Sequence, residues 1–142
     1  MKKYKVGYTQ GVFDMFHVGH LNLLSEAKKF CDVLIVGVNS DQLVEQYKQK
    51  KPVINQENRR LIVSCIKFVD DAIIADTLDK LEIKNIVDFD VVFIGDDWKN
   101  SERWIKTEKE LNAINVDVVF IPYTKDISST ILRTLKDNVI ND

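Results

Sequence analysis

Short apolar runs rich in Val and Ile recur along the chain at Tyr4 to Thr9, Val33 to Val38, Ala72 to Ala75, Val91 to Ile94 and Val116 to Ile121. Their length and β-branched content predict buried strands. Between them, helical patterns cover Leu21 to Phe30, Asp41 to Tyr47, Glu57 to Phe68 and Glu102 to Ala113, with a last helix from Ser129 to Lys136. In the third of these, Leu61, Ile62, Cys65, Ile66 and Val69 form the expected core face. Strand and helix alternate throughout, which predicts a doubly wound parallel sheet of the Rossmann-like α/β class, with ligands at the carboxyl ends of its strands. Asn85 to Asp90 reads as a short connection. No repeat, Gly/Ser linker or low-complexity run interrupts the pattern, so residues 1–142 are expected to form one domain.

A chain of 142 residues that is 45% hydrophobic can bury a sizeable core. With 20 basic and 22 acidic residues the net charge is -2, so no global basic field argues for nucleic acid, and an anion site has to be built locally. Cys31 and Cys65 sit in apolar patterns without a C-x-x-C spacing and read as buried thiols. Met1-Lys2-Lys3 runs directly into a strand with no signal-peptide core, and no apolar run approaches membrane-spanning length. A cytoplasmic protein without membrane contact is the expectation.

The chemistry concentrates in Gly11-Val12-Phe13-Asp14-Met15-Phe16-His17-Val18-Gly19-His20, where the first strand hands over to a helix. A helix N-terminus has unpaired N–H groups and partial positive charge, which suit a phosphate. His17 and His20, three apart, fall on one side of a helix, and Gly19 lets a ligand approach the backbone. Asp14 is suited to holding the loop or a metal. A zinc site is disfavoured, because only Cys31 and Cys65 remain as soft ligands.

Written as G-x-F-D-x-x-H-x-G-H, the stretch resembles the signature of the HxGH nucleotidyltransferase superfamily, whose members join a nucleoside monophosphate to a phosphorylated acceptor. Other stretches resemble its cytidylyltransferase family over nearly the whole chain, most of all the glycerol-3-phosphate cytidylyltransferases. The resemblance implies that Lys48 and Lys50, in Lys48-Gln49-Lys50-Lys51-Pro52, reach over the nucleotide phosphates together with His17 and His20. It also implies nucleotide contacts from Gly11, Val12, Phe13, Asp14 and Gly19, although the family often has Thr where Val12 stands.

Gly95-Asp96-Asp97-Trp98 matches the family's G-D-D-W. Asp96 is suited to accepting a hydrogen bond from the cytosine amine, Trp98 to walling the pocket, and Asp97 to the acceptor. Lys67-Phe68-Val69-Asp70 stands for the family's R-Y-V-D turn, with Lys67 a second acceptor-binding candidate that lacks the arginine fork. Arg59 reads as support for its helix and neighbours. Thr124, Ile127, Ser128, Ser129 and Thr130 match the R-T-x-G-I-S-T-T segment, except that Tyr123 replaces Arg and Asp126 replaces Gly. Arg133 is positioned in the pattern to supply the missing cation, in the I-S-S-T-x-x-R form found in adenylyltransferases of the same superfamily.

The implied reaction is transfer of CMP from CTP to a small phosphorylated alcohol, most readily glycerol 3-phosphate, giving a CDP-alcohol and pyrophosphate. Mg²⁺ would accompany CTP, bridging the phosphates through their own oxygens and water. The family usually forms homodimers and feeds teichoic-acid or capsule polymers. Transfer to ribitol phosphate or phosphoethanolamine, adenylyl transfer, and a nucleotide-binding module without catalysis are the alternative readings.

Overall fold

Five parallel strands, in the order β3-β2-β1-β4-β5, form the sheet of the computed structural model, which describes residues 3–122. The strands are β1 (Tyr4–Gly11), β2 (Cys31–Asn39), β3 (Asp71–Ala75), β4 (Val91–Gly95) and β5 (Asp117–Ile121). The helices are α1 (Val18–Lys28), α2 (Asp41–Lys48), α3 (Gln56–Ser64), α4 (Lys80–Lys84) and α5 (Glu102–Asn112), with a single 3₁₀ turn at Asp96–Trp98. The chain steps outward from β1 to β3, then crosses back to place β4 on the other side of β1. That reversal opens a crevice beyond Gly11 and Gly95, where β1 and β4 end.

Alternation along the strands separates two cores, one on each face of the sheet. Leu34, Val36, Val38, Val91 and Phe93 pack with Leu24 and Ala27 of α1 and Val63 of α3. Tyr8, Val92 and Phe89 pack on the other face with Ile83 of α4 and Trp104 and Leu111 of α5. Glycine is required at Gly37, where a Cβ would lie 1.9 Å from the Tyr8 hydroxyl. The bulk of that phenol is accommodated by an absent side chain on the neighbouring strand.

Several boundaries differ from the sequence expectation. α1 begins at Val18, before Leu21, because His17 caps it. α3 stops at Ser64, short of Phe68, and turns Arg59 and Val63 inward. Leu61, Ile62 and Cys65 are exposed, while Ile66 and Val69 pack only partly against the core. Their spacing is helical, but the helix ends before Ile66 and its inward stripe is set by Arg59. α4, capped by Asp79, is too short to show periodicity in sequence. The last helix expected from Ser129 lies outside the described residues.

Candidate active site

At the carboxyl edge of the sheet lies a cavity of about 600 Å³ lined by both histidines, Gly11, Val12, Phe13, Asp14 and Gly19 on one side. Tyr47, Lys48, Lys80, Asp97, Trp98 and Arg103 line the rest of its wall, among others.

His17 is the N-cap of α1 in extended conformation, and its Nδ1 accepts the Gly19 N–H at 3.0 Å. His20 is the third residue of the helix, and its Nδ1 accepts the His17 N–H at 3.2 Å. The pair is therefore a reciprocal capping box built from two imidazoles, with the rings stacked 3.8 Å apart. A nitrogen that accepts a backbone N–H carries no proton, so each neutral ring bears its hydrogen on Nε2. Burial lowers the pKa of His17; burial, then the charge of His17, hold that of His20 down to about 4 against an upward pull from Asp14. At neutral pH the two rings are uncharged donors beside the positive end of a helix. This corrects the picture of two histidines one turn apart on a helix: only His20 is helical.

The loop carrying them is clamped from below. Asp14 is buried, its two oxygens accepting the Val53 and Ile54 N–H groups at 2.8 and 2.9 Å, so it ties the β1–α1 loop to the segment after Pro52. Arg59 is buried as well. It donates to the carbonyls of Ile54, Val12 and Asn39 at 2.7 to 2.8 Å and pairs with Asp41 at 2.6 Å. One guanidinium thus joins the ends of β1 and β2 to the entry of α3. Phe13 and Met15, with φ of 54° and 49°, adopt left-handed conformations that these clamps hold in place.

A chain of polar side chains crosses the floor. Tyr8 donates to Gln10 Oε1 at 2.8 Å, Gln10 Nε2 donates to Asn39 Oδ1 at 2.8 Å, and Asn39 Nδ2 donates to the Tyr47 hydroxyl at 3.0 Å. Each link fixes the next, so the Tyr47 oxygen is an acceptor within the chain and its own proton is left to donate outward.

The structure brings together only part of the set read from sequence. Lys48 lines the cavity, at the last turn of α2, and Lys50 does not, lying beyond the left-handed Gln49 that ends the helix. Asp97 lines it and Asp96 does not: the 3₁₀ turn swings the Asp97 carboxylate back over Gly95, within 2.6 Å of where a Cβ would stand. Lys67 is also outside the cavity, because it precedes β3 and so lies at the amino edge of a parallel sheet, where its ammonium sits over Phe68. Thr124, Ile127, Ser128, Ser129, Thr130 and Arg133 lie outside the described residues. Among the described residues no group of three metal-ligating side chains comes together, and the bonded Asp14 serves the loop.

Gln10, Asn39, Tyr47, Lys80 and Arg103 were missed. Gln10 and Asn39 did carry a signal, since each is an amide at the carboxyl end of an apolar strand. Lys80 and Arg103 are ordinary lysine and arginine positions until the fold aligns them.

Comparison with known proteins agrees with this geometry. The Cytidylyltransferase-like family model matches residues 8–135. Glycerol-3-phosphate cytidylyltransferase of Bacillus subtilis is 35% identical over 127 residues, covering 88% of this chain and 92% of that protein. FAD synthase of Thermococcus onnurineus is 38% identical over 115 residues, 80% of this chain and 76% of that one. The crystal structure of the lipopolysaccharide core biosynthesis protein from Thermoplasma volcanium matches with a TM-score of 0.70 at 28% identity, covering 87% of this chain and 99% of that chain. The chain belongs to the cytidylyltransferase-like family of nucleotidyltransferases.

Proposed function

We propose that the protein transfers CMP from CTP to a small phosphorylated alcohol, with glycerol 3-phosphate the acceptor we favour. The observation that carries the reading is the imidazole capping box, which presents two neutral Nε2–H donors and the α1 N-terminus to one cavity. An oxygen of the acceptor phosphate attacks the α-phosphorus of CTP; that bond forms as the bond from the α-phosphorus to the bridging oxygen breaks, and pyrophosphate leaves with the electron pair. The acceptor phosphate is largely dianionic at neutral pH, so it needs no catalytic base.

The protein's part is alignment and charge stabilisation. His17 and His20 donate hydrogen bonds to the phosphate oxygens, and Lys48, which lines the same cavity, brings a cation. Mg²⁺ bound with CTP would neutralise triphosphate charge as pyrophosphate leaves. We infer that Asp97, the carboxylate of the pair that lines the cavity, accepts from the cytosine amine, the role expected of Asp96.

A second reading, adenylyl transfer to a flavin phosphate, is favoured by the FAD synthase relative at 38% identity. We also propose a homodimer, supported by the outward Leu61 and Ile62 of α3, which light scattering would detect. The catalytic assignment is tested with His17→Ala and His20→Ala in a pyrophosphate-release assay. Each should lower kcat by about 100-fold or more, the scale for loss of a transition-state donor. Retention of full kcat by either would sink it.

A further inference from the structure

Three lysines crowd the end of α2 and the turn after it, and the fold brings one of them to the cavity. Lys48 lines the wall, whereas Lys50 and Lys51 do not, and Lys51 pairs with Glu45 at 3.9 Å. An ammonium on a four-carbon stem has many rotamers, and in the last turn of a helix the unpaired carbonyls attract it. Holding it at the cavity takes a further contact. The Lys48 ammonium lies 5.8 Å from the centroid of the Tyr47 ring, within cation–π reach. Adjacent residues on a helix point in different directions, so this contact comes from the fold of the Lys48 stem and is not dictated by the backbone.

Tyr47 is in turn tethered to the sheet. The Thr77 carbonyl can only accept, so the Nε2 that donates to it at 2.8 Å fixes the orientation of the Gln10 amide. Oε1 of Gln10 then accepts from Tyr8, and the other Nε2 proton goes to Asn39 Oδ1, which leaves Asn39 Nδ2 to donate to the Tyr47 hydroxyl at 3.0 Å. One backbone carbonyl thus sets the polarity of the whole relay. Tyr8 and Asn39 are buried, so a phenol that is 37% exposed at a helix end is anchored by groups at the ends of β1 and β2. Burial raises the Tyr47 pKa, against the Asn39 bond and the charges of Arg103 and Arg59, so the phenol is neutral and offers Lys48 the face of its ring.

We propose that Tyr47 is a positioning residue for Lys48: the relay from Thr77 through Gln10 and Asn39 pins the phenol, and the pinned ring holds the ammonium at the cavity wall. This rests on the reading above in which Lys48 serves the phosphates. Tyr47 makes no bond to the reacting atoms in this account. It narrows the positions open to the lysine, so that the charge is in place before the α-phosphorus is attacked.

A double-mutant cycle isolates the effect. Wild type, Tyr47→Leu, Lys48→Ala and the double variant are compared by calorimetric affinity for pyrophosphate and by kcat for pyrophosphate release from CTP and glycerol 3-phosphate. Tyr47→Leu should cost at least about threefold while Lys48 is present, the scale of a lost cation–π contact, and less than about 1.5-fold once Lys48 is alanine. Tyr47→Phe keeps the ring face and loses the tether, so it should fall between wild type and Tyr47→Leu. A Tyr47→Leu loss that persists undiminished in the Lys48→Ala background overturns the proposal, as does an unchanged Lys48→Ala or a Tyr47→Phe as damaged as Tyr47→Leu. The two readings fail separately. Coupling in pyrophosphate affinity with no turnover by any nucleotide removes the proposed reaction and leaves the positioning, whereas turnover with two independent substitutions removes the positioning and leaves the reaction.

Discussion

Acidifying the protein should leave His20 uncharged long after a free imidazole would have taken up a proton, and burial shifts His17 in the same direction. Each Nδ1 already accepts a backbone N–H, so protonating it breaks a cap of α1. The fall of the His20 pKa from 6.5 to about 4 corresponds to roughly 3 kcal/mol in favour of the neutral ring. The sign follows from linkage: the unfolded chain takes a proton near pH 6.5 and the folded chain does not until about 4. The contribution is therefore fully present above 6.5 and is lost as the pH falls through that window, at up to about 1.4 kcal/mol per pH unit.

Long-range nitrogen–proton NMR correlation on the imidazoles reads both tautomer and midpoint, and with two histidines in the chain a single His17 variant assigns them. The Nε2–H tautomer at pH 7 and a His20 midpoint near 4, rising when pyrophosphate binds, are expected. A midpoint at or above 6.5, or an Nδ1–H tautomer, would refute the capping-box account.

Two other substitutions probe the clamps beneath the loop. Arg59→Lys cannot span three carbonyls and Asp41 with one ammonium, so urea denaturation should show a loss of about 3 kcal/mol or more, and a loss under 1 kcal/mol would mean the four contacts are not what joins the strand ends. Asp14→Asn offers one amide oxygen to the Val53 and Ile54 N–H groups and should cost about 1–3 kcal/mol with a raised KM for CTP, whereas unchanged stability would show that the loop is held elsewhere.

The sheet was legible because its strands are short Val/Ile runs bounded by helical patterns, and the parallel order then puts any ligand at the carboxyl edge. The Gly11 to His20 stretch was legible as chemistry, yet not as conformation. That a histidine rather than Ser or Asp caps α1 follows from the partner ring at His20, a pairing that local propensity does not anticipate. Asp97 rather than Asp96 lines the cavity because a tight 3₁₀ turn, not an open loop, follows β4. Lys67 fell outside for a topological reason: residues just before a parallel strand lie at the opposite edge from the site. Arg103 and Lys80 are 23 positions apart on different helices, and only the packing of α4 beside α5 brings them to one cavity.

The most direct test of cytidylyl transfer is pyrophosphate release over a matrix of CTP and ATP against glycerol 3-phosphate, ribitol phosphate, phosphoethanolamine and FMN, with the product mass determined. The account expects turnover with CTP and glycerol 3-phosphate and a product with the mass of CDP-glycerol. Turnover confined to ATP and FMN, or none with any pair, would contradict it.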